Sequence, residues 1–318
     1  MVSEQTQPDT GRIGGLFAAM VTPIDDGGRL DIETFDRLTD FVVGAGVDGI
    51  CVAGATGEYP QFGVADRRRL VQRAAARMPA DRGLLVGIGA STADATVELG
   101  CIAVDAGARA VLLPMPMFFR YEQPDLAAYC LEVSGALRAP CLLYNLPAFT
   151  NGLTADTITE LLGSAEHLAG VKDSSGAEAN IERLASDRGT RSYSLLVGDD
   201  QLLKTGLEAG WDGGISGVAA FCPELLLGLY DSVQAGRLPE ADRLDALLKE
   251  LIERIAVFPV PWGIRFGLAA RGAPTGPMPL PLTAERRRQV EEFVAWFPRW
   301  MVEQQIVRTP RDVMIVPR

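Results

Sequence analysis

Short runs of consecutive apolar residues alternate along the chain with longer stretches in which apolar positions recur every three or four residues. The short runs have the length of buried strands, and the longer stretches have the period of amphipathic helices. Eight runs predict strands: Gly15 to Val21, Gly49 to Ala53, Leu84 to Gly87, Ala110 to Leu113, Cys141 to Tyr144, Leu168 to Lys172, Ser194 to Val197 and Gly213 to Ser216. Each is followed by turn chemistry and then a helical period, as in LTADTITELL, where Thr154 takes the N-cap position before an apolar stripe. Strand ends recur roughly every 20 to 35 residues, the size of one strand-helix unit. Eight such units in series predict an α/β fold, the (β/α)8 or TIM barrel.

The pattern assigns residues 12–235 to the barrel, ending with a helix at Pro223 to Ala235. Three more helical stretches follow, about Pro239 to Val257, Pro261 to Ala270 and Thr283 to Glu303, so residues 236–303 read as a C-terminal helical extension. Residues 304–318 have little periodicity and form a tail that packs on the surface or on a neighbour.

An apolar share of 47% and a charged share of 22% provide a core of ordinary size and exclude disordered or collagen-like chains. Thirty basic against 41 acidic residues give a net charge of −11, the wrong sign for a nucleic-acid or anionic-membrane partner. No apolar run approaches the roughly 20 residues that span a bilayer, and the N-terminus MVSEQTQPDTGR is polar, so a cytoplasmic location is expected. Cys51, Cys101, Cys130, Cys141 and Cys222 are scattered without C-x-x-C spacing, which suggests reduced thiols and neither a disulfide framework nor a zinc site. His167 is the one histidine, near a helix end, so it reads as structural or solvated, and His-based metal sites or triads are not expected.

Only Lys172, Lys204 and Lys249 are lysines. Lys204 and Lys249 follow helical spacing, and Lys249, beside Glu250 and Glu253, reads as an exposed stem with an i,i+4 partner. Lys172 instead ends the apolar run LAGVK, just before the turn-forming Asp173, Ser174, Ser175 and Gly176. Chemistry in a barrel sits on the loops after the strands' C-terminal ends, where Lys172, Tyr144, the Gly54 to Glu58 loop and Ser216 all fall. Burial there penalises an ammonium and makes a neutral amine available to attack a carbonyl; an ion pair with Asp173 or Asp199 is the alternative. Tyr144 ends the preceding strand, where its hydroxyl either exchanges protons at that amine's reaction centre or caps the barrel core. The turn AGATGEYP sets Gly54 and Gly57 around Ala55 and Thr56, so backbone N–H groups and the Thr56 hydroxyl can surround a small carboxylate.

Several ordered motifs carry a family resemblance: GLFAAMVTPI (Gly15 to Ile24), GATGE (Gly54 to Glu58), YNLP (Tyr144 to Pro147), GVKDSSG (Gly170 to Gly176), GDD (Gly198 to Asp200) and GGISG (Gly213 to Gly217). From about Gly15 to Phe297 the chain resembles the dihydrodipicolinate synthase / N-acetylneuraminate lyase family of class I aldolases. The resemblance implies a barrel with a helical extension, often a homotetramer, that acts on 2-oxo acids through a lysine Schiff base with no metal or organic cofactor. It places Lys172 on the Schiff-base lysine and Tyr144 on the proton-shuttling tyrosine. Ala55, Thr56 and Gly57 fall in the loop that holds the pyruvyl carboxylate, with Ser216 and Gly217 completing the substrate contacts.

Three positions depart from the synthases. Ala55 replaces a threonine of their proton relay, Phe118 replaces a tyrosine that reaches a neighbouring subunit's site, and Phe149 replaces the arginine that receives the second substrate's carboxylate. Met117, Phe118 and Phe149 would make the acceptor side apolar, which argues against dihydrodipicolinate synthesis. The expected activity is therefore reversible cleavage of a 2-oxo acid, of the 2-oxo-3-deoxy sugar acid type, into pyruvate and an aldehyde. The alternative is a Schiff-base dehydratase of such acids, to which GATGEYPQF and LLPMP are similar. A non-catalytic ligand-binding relative is a third reading, against which the retention of Lys172 and Tyr144 speaks.

Overall fold

Each of the eight apolar runs carries a strand in the computed structural model, which describes residues 11–309 and 311–315. The strands are β1 (Gly15–Ala19), β2 (Gly49–Val52), β3 (Gly83–Gly87), β4 (Ala110–Pro114), β5 (Cys141–Asn145), β6 (Leu168–Asp173), β7 (Ser194–Val197) and β8 (Gly213–Ser216). All pair in parallel in sequence order, and β1 also pairs with β8, closing the barrel. Helices α1 (Ile32–Ala45), α2 (Val64–Arg77), α3 (Ala93–Asp105), α4 (Gln123–Leu137), α5 (Ala155–Ser164), α6 (Glu178–Arg188), α7 (Leu203–Glu208) and α8 (Pro223–Gln234) alternate with them.

The differences from the sequence pattern lie at strand ends and have local causes. β2 stops at Val52 because Ala53 turns into the left-handed region at φ +53°, which starts the GATGE turn. β1 stops at Ala19, although Met20 and Val21 stay buried and the Met20 N–H still donates to the Cys51 carbonyl at 2.9 Å. β4, β5 and β6 each run one residue further than their apolar runs. The Thr154 cap forms as expected, its hydroxyl accepting from the Thr157 N–H at 3.3 Å.

Two apolar layers result. Phe17, Cys51, Leu85, Leu112, Leu142 and Leu196 fill the barrel interior, with Tyr144 in the same cluster, and a larger layer lies between strands and helices. The register sets Pro114 of β4 beside Tyr144, and Tyr144 beside Lys172 of β6, so both polar side chains end neighbouring strands at the same rim.

The C-terminal extension consists of α9 (Leu238–Ile255), α10 (Trp262–Ala270) and α11 (Ala284–Glu303). The described part of the tail packs on this chain through the fully buried Arg271. Its guanidinium donates to Glu224 at 2.7 Å, to the Phe221 carbonyl at 2.8 Å and to the Val313 carbonyl at 2.6 Å. The polar N-terminus up to Thr10, Pro310 and the last three residues lie outside the described residues. Among the described residues, no helix is long and apolar enough to cross a membrane.

Candidate active site

Lys172 and Tyr144 are 4% and 3% exposed, and the structure brings them into contact. The Lys172 Nζ donates to the Tyr144 Oη at 3.2 Å and sits 4.3 Å from the centre of its ring. No ion pair holds the amine among the described residues. The Asp173 carboxylate accepts instead from Asn145 Nδ2 at 2.8 Å and Ser175 Oγ at 2.9 Å, and Asp199 accepts from the Gln201 N–H at 3.1 Å. Room for the amine's stem comes from Gly198, where a Cβ would lie 2.8 Å from Lys172 Cε and 2.0 Å from Ser174 Oγ. Cys51 is the thiol inside this barrel, and burial pushes it up to about 11, so it stays protonated and a poor nucleophile.

The other two lysines are engaged elsewhere. Lys204 pairs with Glu208 at 2.9 Å and Asp242 at 3.0 Å. Lys249 finds its partner one turn earlier than the sequence suggested, at Asp245, 2.7 Å away. His167 is half-buried, and its backbone carbonyl accepts from the Cys141 N–H at 2.9 Å.

The loop after β2 has the form of a cradle. Its turn is closed by the N–H groups of Glu58 and Tyr59, which donate to the carbonyls of Ala55 at 2.9 Å and Gly54 at 3.4 Å. No hydrogen bond within the described residues claims the N–H groups of Ala55, Thr56 and Gly57. Glu58 holds a left-handed φ of +51°, and its carboxylate takes Arg265 of α10 at 3.2 Å and Gln61 at 2.8 Å. Arg265 also donates to the Pro277 carbonyl at 2.7 Å. Losing one partner of such a buried pair typically costs about 3–5 kcal/mol, so the C-terminal extension fixes the loop's shape. A Cβ on Gly217 would lie 3.5 Å from Thr56 Oγ1 and 2.7 Å from Ile264 Cδ1, so the turns after β2 and β8 meet there.

Ser216 lies in the same corner, but its hydroxyl is spent within the fold. It is 1% exposed, accepts from the Ala219 N–H at 2.9 Å and hydrogen-bonds the Asp200 carboxylate, which also accepts from the Val218 N–H at 3.1 Å. The Ser216 hydroxyl thus ties the turn after β7 to the turn after β8. Burial pushes Asp200 up to about 6, against the opposing pull of the Ser216 and Val218 bonds and the Lys172 charge.

A raised carboxyl binds its proton more tightly folded than unfolded. The stability it contributes is complete below the ordinary carboxyl value of 3.8 and is lost as pH rises through about 6. That interval corresponds to at most about 3 kcal/mol, and since Asp200 stays partly open to water, about 1 kcal/mol is the expected size. Asp200→Asn removes the ionisation. Its melting temperature relative to wild type is therefore expected to rise by about 2 °C between pH 4.5 and 7.5. Calorimetry across that range checks this, and a flat difference would show that Asp200 ionises freely.

Beside the cradle opens a cavity of about 290 Å3, lined by Ala55, Tyr59, Met117, Leu146, Phe149 and Val260 among others. No lysine or arginine lines it. Larger hollows exist, such as one of about 470 Å3 around Pro79, Arg82 and Gly83, but that one lies at the strands' N-terminal ends, away from Lys172. Ala55, Met117 and Phe149 lie on its wall. Phe118 does not line the cavity. After β4 the chain turns outward, and Phe118, at φ +75° and 91% exposed, packs edge-on against Phe119. Among the described residues, no group of three or more His, Cys, Asp or Glu side chains is placed to hold a metal ion.

Sequence reasoning missed Tyr59, Leu146, Asp200 and Arg265. Tyr59, Leu146 and Asp200 stand inside the motifs AGATGEYP, YNLP and GDD, so their positions were in view but not their contacts. Arg265 stands 207 residues from Glu58, and nothing local announces it.

Comparison with known proteins gives a consistent picture. Residues 12–296 match the profile of the dihydrodipicolinate synthetase family. A 4-hydroxy-tetrahydrodipicolinate synthase of Sorangium cellulosum is 31% identical over 289 residues, covering 88% of this chain and 94% of that protein. A probable 2-dehydro-3-deoxy-D-pentonate aldolase of Escherichia coli is 28% identical over 290 residues, covering 87% and 95%. Among solved structures, a prophage protein of the dihydrodipicolinic acid synthase family from E. coli K12, in complex with pyruvate, superposes with a TM-score of 0.83 at 25% identity, covering 93% and 99%.

Proposed function

The chain belongs to the dihydrodipicolinate synthetase family, and on that premise we propose that it reversibly cleaves a 2-oxo acid of the 2-oxo-3-deoxy sugar acid type into pyruvate and an aldehyde. Members of the family are lyases, class I aldolases that hold pyruvate as an imine on a lysine and use no metal or organic cofactor. In this reading Lys172 forms the imine, Tyr144 moves protons at the reacting carbons, and Ala55, Thr56, Gly57 and Gly217 hold the pyruvyl carboxylate. The iminium draws in the electron pair as the carbon–carbon bond breaks, giving an enamine that is protonated and hydrolysed to pyruvate.

One observation carries the choice of substrate: the cavity beside the loop after β2 is walled largely by apolar side chains, Met117, Leu146 and Phe149 among them, and by no lysine or arginine. A second substrate with a carboxylate at that point would be desolvated without a partner, at a cost of several kcal/mol. A neutral aldehyde meets no such penalty. The exposed Phe118 would serve a neighbouring subunit in a homotetramer, and we place the enzyme in the cytoplasm.

The test incubates the enzyme with 2-oxo-3-deoxy pentonates and hexonates and follows pyruvate, beside an arm with pyruvate and aspartate semialdehyde. Pyruvate release from a sugar acid, with no turnover in the second arm, is the expected result. Loss of water without pyruvate would mean a dehydratase. Turnover at a typical enzyme rate of about 10 per second in the second arm would mean a synthase that binds the acceptor carboxylate elsewhere. Binding without turnover would mean a ligand-binding relative.

A further inference from the structure

Glu58, Tyr59 and Gln61 put polar groups on the otherwise apolar wall of the 290 Å3 cavity. The Glu58 carboxylate is taken by Arg265 at 3.2 Å and by Gln61, whose amide nitrogen donates to it at 2.8 Å. Tyr59 differs. No hydrogen bond within the described residues claims its hydroxyl, although the residue is only 5% exposed.

The ring is held on several sides. Tyr59 opens a short 3-10 turn directly after the pinned Glu58, and the Arg67 guanidinium lies 5.3 Å from the ring centre while donating to the carbonyls of Gly87 at 2.8 Å and Gly89 at 2.7 Å. At Gly89 a side chain would collide with the ring. A Cβ there would stand 2.8 Å from Tyr59 Cε2, 2.9 Å from Cζ and 2.6 Å from Pro114 Cγ. The hydroxyl end of Tyr59 therefore lies near Pro114, which pairs with Tyr144. Burial, with an added push from Tyr144, raises the Tyr59 phenol to about 12, so at neutral pH it is a donor and not a base.

We propose that Tyr59 is a specificity-determining residue that donates a hydrogen bond to a hydroxyl on the aldehyde half of the substrate. This rests on the lyase reading above and deepens it: the site selects a hydroxylated aldehyde over a hydrocarbon one. A donor that faces the cavity and is left without a partner once a ligand displaces water penalises any aldehyde that lacks the matching oxygen, and this is how an unengaged polar group on a largely apolar wall discriminates.

The experiment measures aldol addition of pyruvate to glycolaldehyde and to propanal, similar in size and differing in the hydroxyl, with wild type and Tyr59→Phe. Wild type is expected to favour glycolaldehyde by about tenfold in kcat/KM. Tyr59→Phe, which keeps the ring and its Arg67 contact, is expected to abolish that preference by losing glycolaldehyde activity while propanal activity changes less than threefold. A wild-type preference near one overturns the proposal with no need of the variant. So does an equal loss on both aldehydes, which would mark a packing role. Borohydride trapping of pyruvate on wild type separates the two levels: no trapping means that the lyase reading fails, and trapping without aldehyde discrimination means that only the Tyr59 assignment fails.

Discussion

Borohydride reduction in the presence of pyruvate is expected to fix one pyruvyl adduct on Lys172, and Lys172→Ala is expected to lose both the adduct and turnover by about 10⁵-fold or more. The amine is buried at the C-terminal end of β6, contacts Tyr144 Oη at 3.2 Å and has no carboxylate partner among the described residues. Lys204 and Lys249 are both tied to acids on helices of the outer ring and extension, so neither competes for the label. Peptide mapping after trapping decides the point. Labelling at Lys204 or Lys249, or none with any small 2-oxo acid, would end the Schiff-base mechanism for this chain. The alanine variant leaves a small cavity at the rim and not in the packed interior, so its melting temperature is expected to stay within a few degrees of wild type.

How far the sequence revealed this site depended on which physical signal each residue leaves. The barrel was legible because eight buried strands need eight apolar runs, and strand ends blurred only where a local turn intervened, as at Ala53. Lys172 stood out through rarity and position, an isolated lysine closing an apolar run. Tyr144 followed from its neighbouring strand, and the register confirms their adjacency. Residues whose role depends on contacts between distant segments left no such trace. Arg265 looks like one more arginine in an amphipathic stretch, yet it sets the shape of the loop after β2 through Glu58. Ser216 was correctly placed at a strand's end, but which way its hydroxyl bonds depends on Asp200 and Ala219, and no periodicity encodes that. For Phe118, position in the chain suggested the acceptor side, while the outward turn after β4 takes it out of its own chain's cavity.

The hydroxyl of Tyr144 is expected to be worth about 10²- to 10⁴-fold in kcat, so Tyr144→Phe should lose that much with the true substrate while still trapping pyruvate on Lys172. The substitution is selective because the ring stays. Its contact with the amine, 4.3 Å from Nζ to the ring centre, does not need the oxygen, and the cradle around Thr56 is untouched. What disappears is the O–H that stands 3.2 Å from the imine nitrogen's position and can exchange a proton with the carbons beside it. Three neighbouring positions do not take over. Ala55 carries no hydroxyl, Ser216 is committed to Asp200 and Ala219, and Tyr59 lines the cavity with a phenol raised to about 12, too weak an acid to release its proton readily at neutral pH. Imine formation and kcat should therefore separate: the trapped adduct persists while turnover falls. A fall of less than threefold would show that protons travel through water or the substrate's own carboxylate, and Tyr144 would then be a packing residue that orients the lysine.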